Sequence, residues 1–548
     1  MTCPPEPTIQ ALLRQNHLAE RFARVPDGGH FVIAQTEFGD GLSFLAAWQL
    51  WQQANTRAHT CLHFVSACPE PQSQDELAHH IHTHAVQTAP ELAHLARELI
   101  KHLPPTISGP HRLVLDEGRV RLTLCFGNVP DPLSQLEFTA DTWLSGTGSS
   151  GSGPLNSGGA DPEPTNPEAG NRPGTIGIIG AGIAGSLVAD NLAKRHFNVT
   201  LIDQADSVGS AASGNRQGAL YVKLGVDYND QTQLALSSLL FSQRFYRRFA
   251  NAGWHPTGLL QLAYSPAEAD RQARFLGKNQ YPPEVLEPVD AEQASRIAGI
   301  PITHGGLWFP ASGWLQPSKL CESLSSHPNI DHRLGFAVKN IAKNNAGWTL
   351  TSHHGEPLSF DQVIICAGPD TPDLIPLNSQ FRLKRIRGQI TEVPESHINS
   401  PSVVVCGPGY LNPVHGNSAL VGATFDLHDS SSAVSAKSDR ENLEMLDEFL
   451  PGALDSSGVT DIAEKSRGRV AFRCTTHDYQ PLAGPMKTRE GALLTGLYLL
   501  TGLGSKGLTY APLLAEYLGD LISGQPACLP KNLVKRLETQ RSHKPEKT

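Results

Sequence analysis

The stretch TIGIIGAGIAG, Thr175 to Gly185, has residue types and spacing suited to holding a phosphate. In a Gly-x-Gly-x-x-Gly loop, Gly180 makes the tight turn, Gly182 lets the backbone approach a pyrophosphate, and Gly185 lets the following helix pack closely on the strand. Asp203 stands where a carboxylate accepts hydrogen bonds from an adenosine ribose. These residues predict nucleotide binding, but the loop alone does not separate NAD from FAD.

The elements that must position this loop are readable in the flanking sequence. Apolar runs and periodicity predict a strand at Thr175–Ile179, a helix at Ile183–Lys194 and a second strand at Asn198–Ile202, closed by Asp203. This βαβ order is the start of a parallel, doubly wound sheet.

A second glycine-rich turn, TGLGSKGL at Thr501 to Leu508, precedes a predicted helix at Ala511 to Ile522. A helix N-terminus stabilises partial negative charge, and reduction of a flavin places such charge at its N1 and C2 carbonyl edge. A single-domain NAD dehydrogenase has no need of this second turn, so the sequence favours FAD. The candidate cofactor-binding residues of this turn are Gly504, Ser505, Lys506 and Gly507.

A polar run between glycines, ASGNRQGALY at Ala212 to Tyr221, could wrap a phosphate and a polar ring system. An ordinary loop of the same composition remains an alternative. FDQVIICAG, Phe360 to Gly368, has the pattern of a buried strand ending in Ala-Gly. The candidate residues in these two stretches are Ser213, Gly214, Asn215, Arg216, Gln217, Gly218 and Gly368.

Residues 174 to about 525 resemble the FAD-dependent amine oxidases, the family of D-amino acid oxidase, glycine oxidase and sarcosine oxidase. The matching stretches are GIIGAGIAG, VIICAG, RGQI, GYLNPVHG and RVAFRCTTHDYQPLAG. Within that family, ASGNRQGALY, GGLWFPASGWLQP, FRCTTHDYQPLAG and GLGSKGL resemble the bifunctional proteins of tRNA 5-methylaminomethyl-2-thiouridine biosynthesis, the MnmC family.

The resemblance implies an FAD-binding Rossmann-like domain combined with an antiparallel-sheet substrate domain, an α/β fold that is α+β in its substrate part. It implies removal of the carboxymethyl group from 5-carboxymethylaminomethyl-uridine at the tRNA wobble position. By the same resemblance, Arg473 and Tyr410 position the substrate carboxylate, and Val338 belongs to the cofactor site. The alternatives are a surface salt bridge for Arg473, a core aromatic for Tyr410 and a solvated side chain for Lys506.

Two further groups are weaker candidates. The cluster Arg382, Lys384, Arg385 and Arg387 could touch RNA phosphate, but its alternation also suits a half-exposed strand. The adjacent His477 and Asp478 could suggest acid-base chemistry, although the resemblance makes this segment a turn.

The N-terminal 144 residues resemble the methyltransferase half of the same family, which uses S-adenosylmethionine. Glu37 stands where that half opens its first motif with glycine, and Ala67 and Cys68 stand where an acidic residue should bind the ribose. After Ala140 to Leu144 the family continues with Asp-Gly-Phe-Ala-Pro, which is missing here. We therefore predict that methyl transfer is lost, although the family as a whole uses S-adenosylmethionine.

Composition bounds the remaining possibilities. The chain has 548 residues, a net charge of −9, and nine scattered cysteines, and none of its apolar runs is long enough to cross a bilayer. We expect a cytoplasmic protein without a metal site, a disulfide framework or a membrane partner. Of the 29 residues in 145–173, 17 are Gly, Ser or Pro, which predicts a flexible linker.

The predicted domains are a truncated methyltransferase-like segment (1–144), the linker (145–173), the oxidoreductase (174–529) and a basic, loose tail (530–548). The leading hypothesis is an FAD-dependent tRNA-modifying oxidoreductase. A small-molecule amine oxidase of the glycine oxidase type and a non-catalytic flavin- or RNA-binding scaffold remain as alternatives.

Overall fold

The computed structural model describes residues 13–54, 57, 59–69, 73–127, 132–144, 174–353, 355–375 and 381–543. The predicted linker lies outside these residues. The chain divides into two compact units. The first comprises residues 1–173, 194–197 and 516–534, and the second comprises 174–193, 198–515 and 535–548.

The first unit contains a five-stranded sheet in the order β3-β4-β2-β1-β5. Its strands are β1 (His30–Gln35), β2 (Cys61–Cys68), β3 (Gly109–Leu115), β4 (Val120–Phe126) and β5 (Thr142–Leu144). Its helices are α1 (Leu18–Arg24), α2 (Leu42–Ala54), α3 (Gln74–Thr88) and α4 (Ala93–His102). All neighbouring strands are parallel except β3 and β4. These strands are buried along most of their length, which is typical of a covered parallel sheet.

A buried cluster of charges belongs to the same unit. Arg121 Nε lies 2.9 Å from Glu516 Oε1, and Arg195 Nη2 lies 2.8 Å from Asp520 Oδ1. Arg112 also faces both acids, with its Nη2 3.5 Å from Asp520 Oδ2. All five side chains are at most 4% exposed, so each charge depends on its partners rather than on water.

The second unit contains a six-stranded sheet in the order β14-β7-β6-β18-β25-β24, all parallel except β24. Its strands are β6 (Thr175–Ile179), β7 (Asn198–Ile202), β14 (Ile330–Arg333), β18 (Gln362–Ile365), β24 (Leu482–Lys487) and β25 (Leu493–Thr501). The predicted strand, helix and strand that open this unit are confirmed with their bounds, the helix being α5 (Ile183–Lys194). The predicted late helix begins four residues earlier than expected, at Gly507.

An eight-stranded, mainly antiparallel sheet in the order β11-β12-β10-β20-β21-β22-β19-β23 carries the candidate substrate residues. Its strands are β10 (Leu259–Leu262), β11 (Glu287–Val289), β12 (Gly306–Phe309), β19 (Lys384–Pro394), β20 (Val404–Cys406), β21 (Tyr410–Leu411), β22 (Ser418–Gly422) and β23 (Arg467–Thr475). The fold class is therefore the predicted α/β fold with a largely antiparallel substrate part.

Two three-stranded sheets and the remaining helices complete the second unit. The small sheets are β8-β13-β9 (Gly218–Leu220, Gly313–Leu315, Trp254–His255) and β15-β16-β17 (Val338–Asn344, Gly347–Ser352, Pro357–Phe360). The helices are α6 (Asp230–Tyr246), α7 (Pro266–Lys278), α8 (Ala291–Ala298), α9 (Pro317–Leu324), α10 (Thr371–Leu374), α11 (Ala436–Phe449) and α12 (Val459–Lys465). Helix α13 (Gly507–Ile522) begins in the second unit and ends in the first.

The C-terminal residues correct one expectation. The predicted loose tail contains helix α14 (Lys531–Leu537), whose Leu533 and Leu537 are fully buried. Arg541 forms an ion pair with Asp478. The prediction of a fraying end is therefore wrong for residues 531–543, because apolar and charged side chains of this segment have partners in the folded protein.

Three observations concern the whole described part of the chain. No helix there is long and apolar enough to span a membrane. No group of three or more His, Cys, Asp or Glu side chains among those residues is arranged to hold a metal ion. Each of the eight cysteines that the structure describes is a free thiol.

Candidate active site

Three loops meet at one edge of the six-stranded sheet. They follow the carboxyl ends of the parallel strands β6, β18 and β25, and β18 lies between the other two. The loops contain Gly180, Gly368 and Gly504, respectively. Ligands of doubly wound proteins bind at this edge, where each strand ends in a loop that leads to the next helix.

The first loop needs glycine for reasons of packing. Gly180 has a φ of 106°, and a Cβ built there would lie 2.5 Å from the Cys366 carbonyl oxygen. A Cβ at Gly185 would overlap the carbonyl oxygen of Gly180. At Gly182 a Cβ would meet only the Ser213 hydroxyl, at 3.2 Å. Gly180 thus lets the loop pack against the end of β18, Gly185 lets α5 pack on the loop after β6, and Gly182 leaves the N-terminus of α5 accessible.

Asp203 is held beside the same loop. Its Oδ2 accepts a hydrogen bond of 2.7 Å from the Ala181 amide, and its Oδ1 accepts one of 2.9 Å from the Ala205 amide. An ionised carboxylate has about four acceptor positions, so these bonds leave capacity for a ribose hydroxyl. Val338 begins β15 two residues after Phe336, whose amide donates to the Asp203 carbonyl.

The ASGNRQGALY segment is fixed by an arginine that the sequence analysis missed. Arg469 on β23 donates to Asn215 Oδ1 at 2.5 Å and to the carbonyl oxygens of Ser210 and Ala211 at 2.9 and 2.6 Å. Its guanidinium fills the space where Gly214 would carry a Cβ. Arg469 and Arg473 are four residues apart on one strand, so their side chains lie on the same face. This spacing is the sequence signal that could have identified Arg469 as a site residue.

The other predicted residues of this segment also have protein partners. The Ser213 hydroxyl accepts from the Ile183 amide at 2.9 Å, at the start of α5. Arg216 lies 3.1 Å from Glu392, and Gln217 donates to the Pro413 carbonyl at 2.8 Å. A Cβ at Gly218 would lie 2.7 Å from Leu508 Cδ1. These contacts shape a loop against the N-terminus of α5.

The second glycine turn precedes α13, which starts at Gly507. Gly368 and Gly504 have left-handed φ values of 54° and 58°, and a Cβ at Gly368 would have open space within 4 Å. Ser505 is exposed. Burial, and then the charge of Lys223, lower the pKa of Lys506. The turn therefore places the N-terminus of α13 beside a half-buried cation, Lys506.

These residues fit an FAD molecule. Two helix N-termini, α5 and α13, begin from the same sheet edge, as a pyrophosphate and a reduced ring system require. Gly182 and Gly368 leave room for close approach to the backbone. A bound FAD would be held by the first loop, Asp203 and the second turn, and it would supply the capacity to accept a hydride.

Arg473 lies on one face of the eight-stranded sheet. Its Nη1 donates to the Thr424 carbonyl at 3.0 Å, and its guanidinium occupies the position that a Cβ at Gly388 would take. Burial lowers the pKa of Arg473, and Tyr410 partly offsets that effect. An arginine remains charged under these conditions, and its planar fork suits a carboxylate.

Tyr410 is brought to the same place from β21. It pairs with Gly422, where a Cβ would lie 3.3 Å from the Tyr410 hydroxyl oxygen. Burial raises the pKa of Tyr410 to about 12, against the opposing effect of Arg473. The hydroxyl is therefore a neutral hydrogen-bond donor at physiological pH. The pair combines a fixed cation with a neutral donor, which is what recognition of a substrate carboxylate needs.

The structure corrects the interpretation of the basic cluster. Arg387 is 3% exposed, and its guanidinium donates to the carbonyl oxygens of Ser431 and Ala433 at 2.9 and 2.7 Å. It is therefore a structural residue of the loop before α11 and not an RNA contact. Arg385 is exposed and pairs with Asp370 at 2.9 Å.

The remaining weaker candidates have mixed positions. Arg382 is exposed, and Lys384 is half-buried. Asp478 accepts from the Thr476 hydroxyl at 2.8 Å and pairs with Arg541, whereas His477 is exposed. Asp478 thus stabilises a turn and the C-terminal segment.

In the first unit, two of the predicted departures from the family lie near each other. Burial, followed by the charge of Glu37, raises the pKa of the Cys68 thiol to about 11. Ala67 is buried, and its carbonyl accepts from the Phe38 amide at 2.8 Å. A protonated thiol thus stands at the carboxyl end of β2, where a ribose-binding carboxylate would be needed, so these residues do not fit S-adenosylmethionine.

Comparisons with known proteins identify the fold and the family. The family described as FAD dependent oxidoreductase matches residues 175–521. A glycine oxidase from Geobacillus kaustophilus superposes with a TM-score of 0.54 at 21% identity, covering 65% of this chain and 95% of its own. An iminodiacetate oxidase from Chelativorans sp. BNC1 gives the same TM-score at 22% identity, covering 66% and 98%. These two structures show the fold.

Two relatives that match nearly the whole chain are named tRNA 5-methylaminomethyl-2-thiouridine biosynthesis bifunctional protein MnmC. The relative from Marinobacter nauticus is 44% identical and is matched over 99% of this chain and 94% of its own length. The relative from Chromobacterium violaceum is 34% identical, with 98% and 93% covered. The flavin-type sheet edge, the glycine turns and these matches together show that the chain is an FAD-dependent oxidoreductase belonging to the MnmC family.

Proposed function

We propose that the protein removes the carboxymethyl group from 5-carboxymethylaminomethyl-(2-thio)uridine at the wobble position of tRNA. The product is 5-aminomethyl-(2-thio)uridine. The observation that carries this proposal is the placement of Arg473 and Tyr410 on the sheet face that also bears Arg469, the clamp of the ASGNRQGALY segment. A carboxylate bound by the first two residues would lie on the same face of the sheet as the residue that holds this loop.

The proposed reaction has two steps. The N–CH2–COO⁻ carbon loses a hydride and the amine nitrogen loses a proton, which leaves a C=N bond. A flavin held by the two glycine turns would supply the hydride acceptor. Water then adds to that bond, and cleavage releases the primary amine on the uridine together with a two-carbon oxo acid. The chain's own part is to hold the carboxylate with Arg473 and Tyr410 and so to orient the carbon.

The names of the relatives support tRNA as the substrate, because the two compared above are described as acting in tRNA 5-methylaminomethyl-2-thiouridine biosynthesis. We further propose that FAD is bound through the two glycine turns, with Asp203 accepting from the adenosine ribose and Val338 beside it. The proposed binding residues are Gly180, Gly182, Gly185, Ser213, Gly214, Asn215, Arg216, Gln217, Gly218, Gly368, Gly504, Ser505, Lys506 and Gly507.

The test is a single turnover without oxygen. The purified full-length protein, loaded with FAD, is mixed with tRNA that bears the carboxymethylaminomethyl group. We expect bleaching of the oxidised flavin spectrum and, by nucleoside mass spectrometry, about one aminomethyl-uridine per flavin reduced. Unchanged nucleosides with an unbleached flavin would contradict the proposal. Bleaching by small N-carboxymethyl amines alone would favour the small-molecule oxidase.

We also propose that methyl transfer is lost. Cys68 replaces the expected carboxylate, and β5 ends at Leu144, directly before the predicted linker. The match to the Marinobacter nauticus relative extends over 599 positions, more than the 548 residues of this chain, so that relative contains sequence that is missing here. Addition of S-adenosylmethionine to the aminomethyl product should therefore yield no methylaminomethyl-uridine, and its appearance would refute this part.

A further inference from the structure

An exposed phenylalanine lies next to the carboxylate-binding residues. Phe425 is 56% exposed and lies after β22, in a segment that pairs with β19. The Arg387 amide donates to the Asp426 carbonyl at 2.9 Å, and the Asp426 amide donates back at 3.0 Å. The Thr424 amide donates to the Gln389 carbonyl at 3.1 Å. This register puts Phe425 directly opposite Gly388.

Residues that oppose each other in an antiparallel pair point to the same face of the sheet. The face of Gly388 is the one on which the Arg473 guanidinium lies, because that guanidinium fills the space of the missing Cβ. Phe425 therefore stands beside Arg473, on the substrate side of the sheet. An exposed aromatic ring at such a place has no packing role in the core.

A second exposed ring lies further along the same face. Tyr479 is 53% exposed, and the Lys384 ammonium is 4.9 Å from its ring centroid. Lys384 opposes Thr475 and precedes Gly388 by four residues on β19, which corresponds to roughly 13 Å along the strand. Two aromatic rings thus flank the Arg473 region, one of them with an ammonium over it.

The backbone around Tyr479 is held in an unfavourable conformation. Tyr479 has a φ of 59°, in the left-handed region that a tyrosine rarely occupies. The Thr476 hydroxyl oxygen lies 2.8 Å from Asp478 Oδ1 and 2.7 Å from the Gln480 carbonyl oxygen, and the Asp478–Arg541 ion pair fixes the turn from outside. Strain of this kind persists where the surrounding structure enforces it, and here it presents the ring to solvent.

We propose that Phe425 and Tyr479 are stacking platforms for two unpaired bases of the substrate RNA, with Lys384 contributing charge beside the second. Unpaired bases stack on exposed aromatic side chains, and cations beside them attract the phosphates. Phe425 takes the modified uracil, since only four bonds separate the uracil ring from the carboxylate carbon that Arg473 holds. Tyr479 takes a neighbouring base. This inference rests on the proposed function.

The experiment measures tRNA binding and single-turnover flavin reduction with full-length FAD-loaded variants. We expect Phe425→Ala and Tyr479→Ala each to raise the Kd for carboxymethylaminomethyl-bearing tRNA by about 5- to 100-fold. Phe425→Trp should retain binding, because a ring remains, whereas Phe425→Leu should not. Leu493→Ala and Tyr228→Ala remove exposed apolar or aromatic side chains elsewhere and should leave Kd within about twofold of the wild-type value.

Two outcomes overturn the inference, and they are distinguishable. If the wild type converts the tRNA but Phe425→Ala and Tyr479→Ala bind it as tightly, the stacking surface is wrong while the proposed function stands. If the wild type neither binds nor converts the tRNA, the proposed function fails, and the surface fails with it. Unchanged flavin content in each variant shows that the fold is intact.

Discussion

At the level of single residues, the candidate site depends on where two polar side chains are held. Arg473 was identified by resemblance and not by its surroundings, since an arginine in an alternating strand has no distinctive sequence signal. Its burial and its contact with Thr424 could be known only from the pairing of β19 with β23. For Arg387 the sequence pattern was misleading, because the alternation along its strand allowed an exposed arginine, whereas the side chain is buried.

Replacement of Arg473 by lysine should slow flavin reduction by about 10- to 100-fold, because a lysine cannot donate two parallel hydrogen bonds to one carboxylate. Stopped-flow measurement with modified tRNA tests this expectation. FAD content should not change, since the hydrogen bond of Arg473 goes to Thr424. Arg274→Lys, at an exposed ion pair on α7, is the matched control. A wild-type rate in Arg473→Lys would remove the residue from the site.

Tyr410→Phe should lower the rate without changing the shape of the pH profile. Burial raises the pKa of Tyr410 to about 12, so its hydroxyl stays protonated at every pH below about 11 and loses its proton only above that range. Flavin reduction by wild type and variant should therefore differ by a constant factor of about 5 to 50 between pH 6 and pH 10. An alkaline limb that disappears in the variant would mean that Tyr410 titrates in this range.

At the level of elements, the sequence was most informative where local pattern and tertiary contacts coincide. The strand, helix and strand around the first glycine loop were predicted with their bounds, because apolar periodicity, turn glycines and burial all specify the same arrangement. The clamp by Arg469 and the position of Phe425 were missed, because both depend on which strands pair and in which register. Sequence spacing within one strand cannot provide that register.

Gly185→Ala should abolish FAD binding, because the added Cβ would overlap the Gly180 carbonyl oxygen and push α5 away from β6. Flavin absorbance of the purified protein is the measurement. Gly277→Ala is the control, since Gly277 lies within α7 and a Cβ there meets nothing within 4 Å. That variant should keep its flavin and gain about 0.5 to 1 kcal/mol in the free energy of unfolding. Full flavin content in Gly185→Ala would contradict the packing argument.

At the level of the whole molecule, the two compact units do not follow the domain bounds that the sequence suggested. The change at residue 174 coincides with the predicted start of the oxidoreductase. Residues 194–197 and 516–534, however, group with the first unit, although 194–197 and 516–529 lie inside the predicted oxidoreductase and 530–534 in the predicted tail. Composition predicts a linker at residues 145–173, which the structure does not describe, but it carries no information on which late segments group with an early sheet.

Loss of Asp520 should destabilise the protein strongly. Asp520→Ala would leave Arg195 and Arg112 buried without one of their counter-charges, and the free energy of unfolding should fall by about 3 to 5 kcal/mol. Asp270→Ala removes an acid from an exposed ion pair with Arg274 and should cost less than about 1 kcal/mol. Denaturant unfolding of both variants makes the comparison, and equal stabilities would show that the buried cluster is dispensable.

The same cluster bears on the history of the protein. Glu516 and Asp520 arise late in the chain, whereas Arg112 and Arg121 belong to the segment whose methyl transfer we propose to be lost. A gene shortened to residues 174–548 would encode both acids without these two arginines. We expect such a protein to be less stable, because two of the three arginines that face these acids would be missing. The early segment thus contributes to stability independently of methyl transfer, so loss of that reaction does not make the segment dispensable.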